Sequence, residues 1–415
     1  MKKLLLFVTV LFLPGILLSQ ETEQETSLTL SGYVRYEMFF DTYESADTRD
    51  GEVYLYPLRE NLDINNNDLN QNFQLNMLGL QARPKIVATG PNAFGAKTTG
   101  VLEGDFLGVS QADSRMLRLR HGYLNLEWEN VGLLLGHSWH PMFVPECFPA
   151  TVSMGAGVPF HVLNRAPQAR YTVKLGSSIS LMGAMLIHGY HKSTGPGDAQ
   201  RNSGLPDTQF QFKLKTDNVF SSFTAGYKFL TPRLVTNDGV KTNETIGSFN
   251  VAANTKLTFK PVTIKFEGIY GQNLTHFVMI GGYGAAEPTT GPGHVDDYSY
   301  TNINTMSVWS DIAFDLDFME IAVFAGYSSN LGASGDYYSL TTATQTYTRG
   351  ENIQSILRVS PRVIVKSGKV DFGIEYMVTG AQYGDIDTAN AEYSFTDTDT
   401  PTINSRMIFS ARYKF

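Results

Sequence analysis

Arginine side chains recur at alternate positions in several segments whose remaining residues are apolar. Arg118 and Arg120 alternate with Leu117 and Leu119, so a β-strand here would place both arginines on one face. The same spacing puts further arginines on the polar face of their segments: Arg35, Arg170, Arg358, Arg362, Arg406 and Arg412. A guanidinium binds a carboxylate or phosphate through paired hydrogen bonds, so inward-facing arginines would favour small anionic or zwitterionic solutes.

Acidic residues fall on the same polar faces and leave two interpretations open. The acids are Glu37, Glu103, Asp105, Glu267, Asp371 and Glu375. In one interpretation, charges of both signs hydrate the interior of a pore and pair with one another. In the other, arginines on neighbouring strands form a basic track that selects anions. The residues expected to line the channel are Arg35, Arg118, Arg120, Arg170, Arg358, Arg362, Glu103 and Asp105.

Residues 140–164 form a long segment with an unusual number of apolar side chains. Pro141, Phe143, Pro145 and Phe148 stand in its first half. An apolar loop is unfavourable in water, so we expect this segment to fold into the channel and narrow it. The alternative is contact with a neighbouring subunit.

The first loop, around residues 41–60, is acidic, and we expect it at the channel mouth, where it would repel anions.

The N-terminus carries the features of an export signal. Lys2 and Lys3 precede an apolar stretch from Leu4 to Leu18, so residues 1–20 are expected to be a cleaved signal peptide. After it, no stretch reaches the ~18 consecutive apolar residues that a spanning helix requires. The other backbone arrangement that satisfies its own hydrogen bonds in lipid is a closed β-barrel. A soluble secreted β protein is the alternative.

The last residues alternate between apolar and polar side chains. Phe415, Tyr413, Ala411, Phe409 and Met407 share one face, and only Ile408 interrupts the polar row on the other. This strand resembles the assembly signal of outer-membrane barrels, with Phe415, Tyr413 and Phe409 as the recognised residues and the barrel assembly machinery as a partner. The first strand, from about 28 to 40, has the same alternation, so the two ends can pair and close a sheet.

The two-residue period between these ends predicts an all-β, antiparallel transmembrane barrel of 16 strands. The intervening strands are expected near 71–83, 94–106, 115–128, 131–139, 165–175, 178–190, 207–215, 220–230, 246–258, 261–273, 303–315, 319–328, 352–364 and 369–381. Connections after most even strands are tight, and those after most odd strands are long and polar, which is the pattern of short periplasmic turns and long outer loops. The stretch from Pro84 to Pro91 is the exception. One barrel domain, residues 21–415, follows.

Overall charge and cysteine content exclude other classes. The net charge is −8 among 415 residues, which argues against nucleic acid as a partner. The single cysteine, Cys147, cannot form an internal disulfide and is expected to pack in the interior.

Metal and catalytic motifs are weak. His137 and His140 are three residues apart, which on a strand points them to opposite faces, so a shared metal is not expected. The run Asp63 to Asp68 lacks the glycine and distal Glu of a calcium loop. The sequence contains neither G-x-S-x-G nor H-E-x-x-H. We therefore expect no metal, no cofactor and no enzymatic activity.

Several segments between about 95 and 175 resemble the DcaP-like trimeric porins of Gram-negative bacteria, with this chain as a Bacteroidetes-type member. They are Glu103-Gly-Asp105-Phe106, Arg118 to Tyr123, Gly136 to Trp139 with Pro141 and Phe143, and Asn164-Arg165 with Gln168, Arg170 and Tyr171. The resemblance implies a 16-stranded homotrimer that imports small, often anionic, solutes such as dicarboxylates. It also implies that Arg118, Arg120, Arg165 and Arg170 line the channel. We therefore expect a passive outer-membrane porin; a barrel enzyme or a surface adhesin is the alternative.

Overall fold

The first strand of the sheet lies beside the last one. Tyr33 pairs with Lys414 and Asp41 pairs with Arg406 at the two ends of an antiparallel ladder, so the sheet closes on itself. The computed structural model describes residues 25–236, 238–289, 297–337, 346–387 and 393–415. The expected signal peptide, residues 1–20, lies outside the described residues.

The described residues contain 23 strands, one short α-helix and two 3₁₀ turns. The strands are β1 (Ser27–Asp41), β2 (Ser45–Thr48), β3 (Val53–Pro57), β4 (Gln74–Leu78), β5 (Arg83–Thr89), β6 (Lys97–Asp105), β7 (Arg118–Glu127), β8 (Val131–Trp139), β9 (Arg165–Leu175), β10 (Ile179–Leu186), β11 (Asp207–Lys215), β12 (Val219–Leu230), β13 (Ile246–Phe259), β14 (Val262–Gln272), β15 (Gly281–Thr289), β16 (Asp297–Leu316), β17 (Met319–Ala333), β18 (Thr346–Arg349), β19 (Ile353–Ser367), β20 (Val370–Tyr383), β21 (Asp385–Asp387), β22 (Ser394–Thr396) and β23 (Thr402–Lys414). The helix is α1 (Ala199–Ser203), and the 3₁₀ turns are Pro145–Cys147 and Leu274–Phe277.

The barrel wall has 16 antiparallel strands, which confirms the expected fold. β4 and β5 together count as one wall strand because both pair with β1. Most turns at one end are short: 128–130, 176–178, 216–218, 260–261, 317–318 and 368–369. Long loops lie at the other end, as the sequence predicts.

The second wall strand extends further than the sequence indicated. The expected turn from Pro84 to Pro91 is wrong, because Pro84 pairs with Gly32 and the strand continues to Thr89. Proline is tolerated here because it lies beside an interruption of the ladder between β4 and β5, where fewer backbone donors are needed.

The outer face of the wall is apolar. Leu28 and Leu30 of β1 are 71% and 65% exposed. Leu357 of β19 and Phe372 of β20 are also exposed on the outer face. At the closing strand, Tyr413 and Phe415 are also exposed. Such a belt is unfavourable in water and favourable in lipid, so the barrel is a membrane-spanning one. In the part of the chain that is described, no helix is long and apolar enough to cross a membrane.

A β-bulge just before Gly122 reverses the alternation of β7. Glu103 pairs with His121 and Gly104 pairs with Leu119, so Arg120 is the extra residue. Arg120 and His121 are therefore both buried on the inner side. Arg118 and Arg120 consequently lie on the inner wall of the barrel.

Two long loops that bear on the channel pack inside the barrel. The first, residues 140–164, is the constriction loop; its Val144, Cys147 and Phe160 are fully buried. The second is the luminal hairpin, residues 45–57, formed by β2 and β3. Its Tyr54 is 1% exposed, so the expectation that residues 41–60 all lie at the channel mouth is wrong. The apolar run Val53 to Leu58 is the physical reason, because it gains stability by leaving water.

The single break in the polar row of the last strand also has a packing role. Ile408 points inward and packs with Met377, Phe39 and Val152 in a buried cluster. Val152 belongs to the constriction loop, so the inner wall needs an apolar contact at this point.

Candidate channel constriction

A cavity of about 450 Å³ lies between the constriction loop and the opposite inner wall. The loop contributes Phe143, Pro145 and Phe148, whereas Pro141 contributes a carbonyl that accepts a hydrogen bond from Gln211 at 2.7 Å. The other wall is basic. Its charged lining residues are Arg35, Arg49, Arg83, Lys85, Glu103, Arg118, Arg120, Arg165 and Arg412. Eight are cationic and one is acidic. Carboxylates behind the lining pair with Arg35, Arg83 and Arg412 and offset part of this charge, but the cations remain in excess, so an anion in this cavity meets net positive charge.

Ion pairs hold the arginines of β7 in place. Arg118 donates to Asp105 through Nε at 2.6 Å, and Arg120 donates to Glu103 at 2.7 Å and to Asp105 at 2.9 Å. Asp105 is fully buried and does not line the cavity itself. These pairs fix the guanidinium groups at the wall and offset part of their charge.

Arg165 has no carboxylate partner among the described residues. It lies at the start of β9, and its guanidinium carbon is 4.5 Å from the centre of the Trp139 ring. Its Nε and Nη1 atoms are buried without a hydrogen-bond partner in the part of the chain that is described. The Trp139 ring in turn stacks on the ring of Phe143 in the constriction loop, with 3.7 Å between the ring centres. Arg165 is therefore a cation of the cavity wall whose charge no described carboxylate offsets.

Several cavity residues were not identified as lining residues from the sequence. Arg83 and Lys85 lie at the position where the sequence predicts a turn at Pro84. In the strand that forms there instead, they alternate with Pro84 and Ile86, as inward-facing residues do. Arg49 comes from the luminal hairpin, whose acidic sequence predicts an outer loop. His191 comes from the loop after β10 and had no local pattern.

Other arginines from the expected basic track do not line this cavity. Arg362 is paired with Asp311 at 2.6 Å and also donates to Glu320. Arg358 donates to main-chain carbonyls of both inner loops. The expectation that both arginines line the channel is therefore wrong for this cavity. Arg362 is neutralised by its carboxylate partners, and Arg358 holds the two inner loops in place.

Arg170 also lies outside the cavity lining. Its Nη2 donates to the carbonyl oxygen of Trp139 at 2.5 Å, and its Nε donates to Gln168 at 3.0 Å. The residue therefore supports the end of β8, where the constriction loop begins. Its implied role as a channel-lining residue stays a prediction for other parts of the pore.

A carboxylate fixes the far side of the constriction loop to the wall. Glu267 accepts a hydrogen bond from Trp309 Nε1 at 2.7 Å, lies 2.8 Å from His161 Nδ1, and is also bonded by Asn254. His161 belongs to the constriction loop, and the other residues lie on β13, β14 and β16. All are buried, so the loop is anchored through a polar network that bulk solvent does not reach.

One described cluster has donor atoms close enough for a metal ion. Atoms of His140, Asp207 and His276 lie within 4.8 Å of one another. The backbone N–H of Met142 donates to His140 Nδ1 at 3.2 Å, so a neutral His140 carries its proton on Nε2, facing Asp207. The Lys228 ammonium lies 2.7 Å from His276 Nδ1. One ring nitrogen of each histidine is thus occupied by a hydrogen bond, and the Lys228 cation lies beside the cluster. Both features disfavour a metal ion, so the cluster is better explained as a hydrogen-bonded network that holds these loops together.

The sequence comparisons give no relative: no protein-family model matches the chain, and no curated protein matches it. Solved structures are similar in fold. The outer membrane channel DcaP of Acinetobacter baumannii is 16% identical, with a TM-score of 0.68 over 95% of this chain and 99% of that one. The anion-selective porin from Comamonas acidovorans is 9% identical, with a TM-score of 0.55 over 94% of this chain and 100% of that one.

A third similar structure is outer-membrane expressed OmpT of Vibrio cholerae. It is 11% identical, with a TM-score of 0.55 over 95% of this chain and 100% of that one. At these identities the similarity establishes the fold. The chain thus has the closed-barrel fold of outer-membrane channels and porins, in agreement with the expected location in the outer membrane.

Proposed function

We propose that this protein is a passive outer-membrane porin that prefers small anionic solutes. The observation that carries the proposal is the cavity of about 450 Å³ whose wall holds eight cations and one acid. Fixed positive charge in a narrow, poorly hydrated passage is screened less than charge at a surface. Small anions should therefore be concentrated at this point and pass more readily than cations.

The net acidity of the chain opposes this preference but acts at longer range. Its −8 charge is spread over the whole molecule, and salt at 0.1 M screens exposed charges within about 10 Å. Selectivity is set where the passage is narrowest. The local arginines therefore dominate the sign of the selectivity.

We also propose that the barrel assembles as a homotrimer. The sequence resemblance to DcaP-like trimeric porins supports this, and one structure of similar fold is described as the trimer form of Vibrio cholerae OmpT. Native-mass measurement in mild detergent tests it. A species of three chains is expected, and a monomer alone would contradict it.

Channel activity itself is tested by recording from purified, refolded protein in a planar lipid bilayer. Discrete open-channel current steps are expected, because each passive pore that inserts adds a fixed conductance to the bilayer. A bilayer that stays silent after insertion, together with hydrolytic activity of the same preparation, would favour a barrel enzyme. Silence with binding to cell surfaces would favour an adhesin.

A further inference from the structure

The luminal hairpin occupies the barrel interior together with the constriction loop. Its residues 45–57 turn inward directly after β1, and Val53, Tyr54, Leu55 and Tyr56 are all buried. We propose that this hairpin is a second constriction element, which sets the upper size of the solutes that pass. The proposal rests on the channel function proposed above.

Three neighbouring wall strands hold the hairpin by hydrogen bonds to its backbone. Arg406 of β23 donates to the carbonyl oxygen of Gly51 at 2.7 Å, and Arg358 of β19 donates to that of Leu55 at 2.7 Å. The hydroxyl of Tyr383 on β20 donates to the carbonyl oxygen of Pro57 at 2.6 Å. These three side chains are at most 3% exposed, so water cannot readily replace their bonds. The hairpin is therefore fixed in the lumen along its length.

The hairpin and the constriction loop also pack against each other. Leu55 and Tyr56 belong to the same buried cluster as Val158 and Phe160 of the constriction loop. Arg358 joins the two backbones, because it donates to Val158 at 2.6 Å as well as to Leu55. The two loops thus form one packed body held by several strands of the inner wall.

The hairpin contributes directly to the cavity surface. Arg49 and Val53 line it beside residues of the opposite wall. The Arg49 guanidinium is held by the carbonyl oxygens of Gly108 at 3.4 Å and Val109 at 3.0 Å, which belong to the loop after β6. The hairpin tip consequently bridges from the packed loops toward the basic wall and takes up space that a solute would otherwise use.

Shortening the hairpin tests the proposal. Ser45 and Pro57 face each other across it, so an Asn-Gly turn can replace residues 46–56 and leave the rest of the loop connected. A matched control replaces residues 63–67 of the same loop with Asn-Gly, because Leu62 and Asp68 form a bridge there and Ile64 is 97% exposed. The control shortens the loop without altering the lumen.

The hairpin-shortened protein should show about twofold higher single-channel conductance and admit larger neutral sugars in liposome-swelling assays, because conductance follows the narrowest cross-section. The control should match the unmodified protein. Unmodified conductance in a folded, hairpin-shortened barrel would overturn the role of the hairpin and leave the porin proposal intact. Absence of current steps from the unmodified protein would instead overturn the porin proposal.

A variant of full length covers the case in which the shortened protein does not fold. Asp47→Cys places a thiol on an exposed position of the hairpin, and Asn65→Cys places one on the outer part of the same loop. Native Cys147 is fully buried, and the unmodified protein treated in the same way controls for it. A bulky thiol reagent should lower conductance through the Asp47→Cys channel and leave the Asn65→Cys channel unchanged. Complete labelling of the first variant, verified by mass, with no change in conductance would overturn the proposal.

Discussion

The guanidinium of Arg165 lies over the ring of Trp139, with 4.5 Å between the guanidinium carbon and the ring centre. The aromatic face supports the cation without neutralising it, unlike the carboxylates that pair with Arg118 and Arg120. A planar, fixed guanidinium without a carboxylate partner is suited to bind an anion in transit. Arg165 is therefore expected to have the largest single effect on selectivity.

Arg165→Ser should shift the reversal potential in a salt gradient toward the value of an unselective pore. Removing one uncompensated charge from the cavity wall lowers anion permeability more than cation permeability if this cavity lies on the path of the solute, as proposed above. Arg201→Ser is the matched control, since the Arg201 side chain is 71% exposed in the loop after β10. Equal shifts in both variants would mean that overall charge, rather than the Arg165 position, determines selectivity.

Glu267→Ala should loosen the constriction loop and produce larger, noisier currents. The change leaves Trp309 Nε1 and Asn254 Nδ2 buried without their acceptor, at a cost of roughly 1–3 kcal/mol for each unsatisfied group. Bilayer recordings and denaturant titrations measure the two effects. Glu127→Ala, at an exposed carboxylate that pairs with Lys174, should change neither one. A Glu267→Ala channel with quiet, unmodified currents would show that the anchor is dispensable.

Phe415→Ala should reduce the amount of barrel assembled in the outer membrane. The Phe415 side chain is exposed on the outer face, where it is available for recognition, and its backbone exchanges hydrogen bonds with Gly32 at the barrel seam. Lys414→Ala removes the neighbouring polar side chain and serves as the control. Surface levels of the two variants, measured by protease protection or labelling, should differ clearly. Unchanged levels for Phe415→Ala would contradict the assignment of the assembly signal.

Stability should fall as the pH drops through about 6.5, the histidine value of an unfolded chain. Burial lowers the pKa of His188, His191 and His276 well below this value, and neighbouring cations add to the effect. Below pH 6.5 the unfolded chain binds protons that the folded loops do not, so the free energy of unfolding decreases.

Each such histidine contributes up to about 1.4 kcal/mol per pH unit in this window. Urea titrations of the refolded barrel at pH 7.5 and 5.5 measure the decrease. His276→Gln should make it smaller, because one of the three groups no longer titrates. Stability that rises toward acid pH would contradict the buried, neutral state of these side chains.

The barrel was predictable because its signal is local and repeated. The alternation in β1 and β23 defines which side chains face lipid, and chain-end pairing follows from it. Pro84 was misread because propensity favours a turn there, whereas the neighbouring β1 ladder keeps the strand extended.

The cavity was only partly predictable because its residues depend on distant contacts. Arg118 and Arg120 could be placed on the inner face from spacing alone. Whether an inner arginine meets solute, a carboxylate or a loop carbonyl depends on partners far away in the sequence, as Arg358 and Leu55 illustrate. The apolar run around Tyr54 was a usable signal for the luminal hairpin, because the same reasoning applied to the constriction loop.

Anion preference at the basic cavity is the central claim, and a reversal-potential measurement tests it most directly. Unmodified protein is inserted into a bilayer that separates two concentrations of potassium chloride, whose two ions have nearly equal mobility in water. The account predicts a zero-current potential of the sign that denotes chloride permeation in excess of potassium, and a smaller value after Arg165→Ser. A zero-current potential of the opposite sign, denoting cation preference, would contradict it.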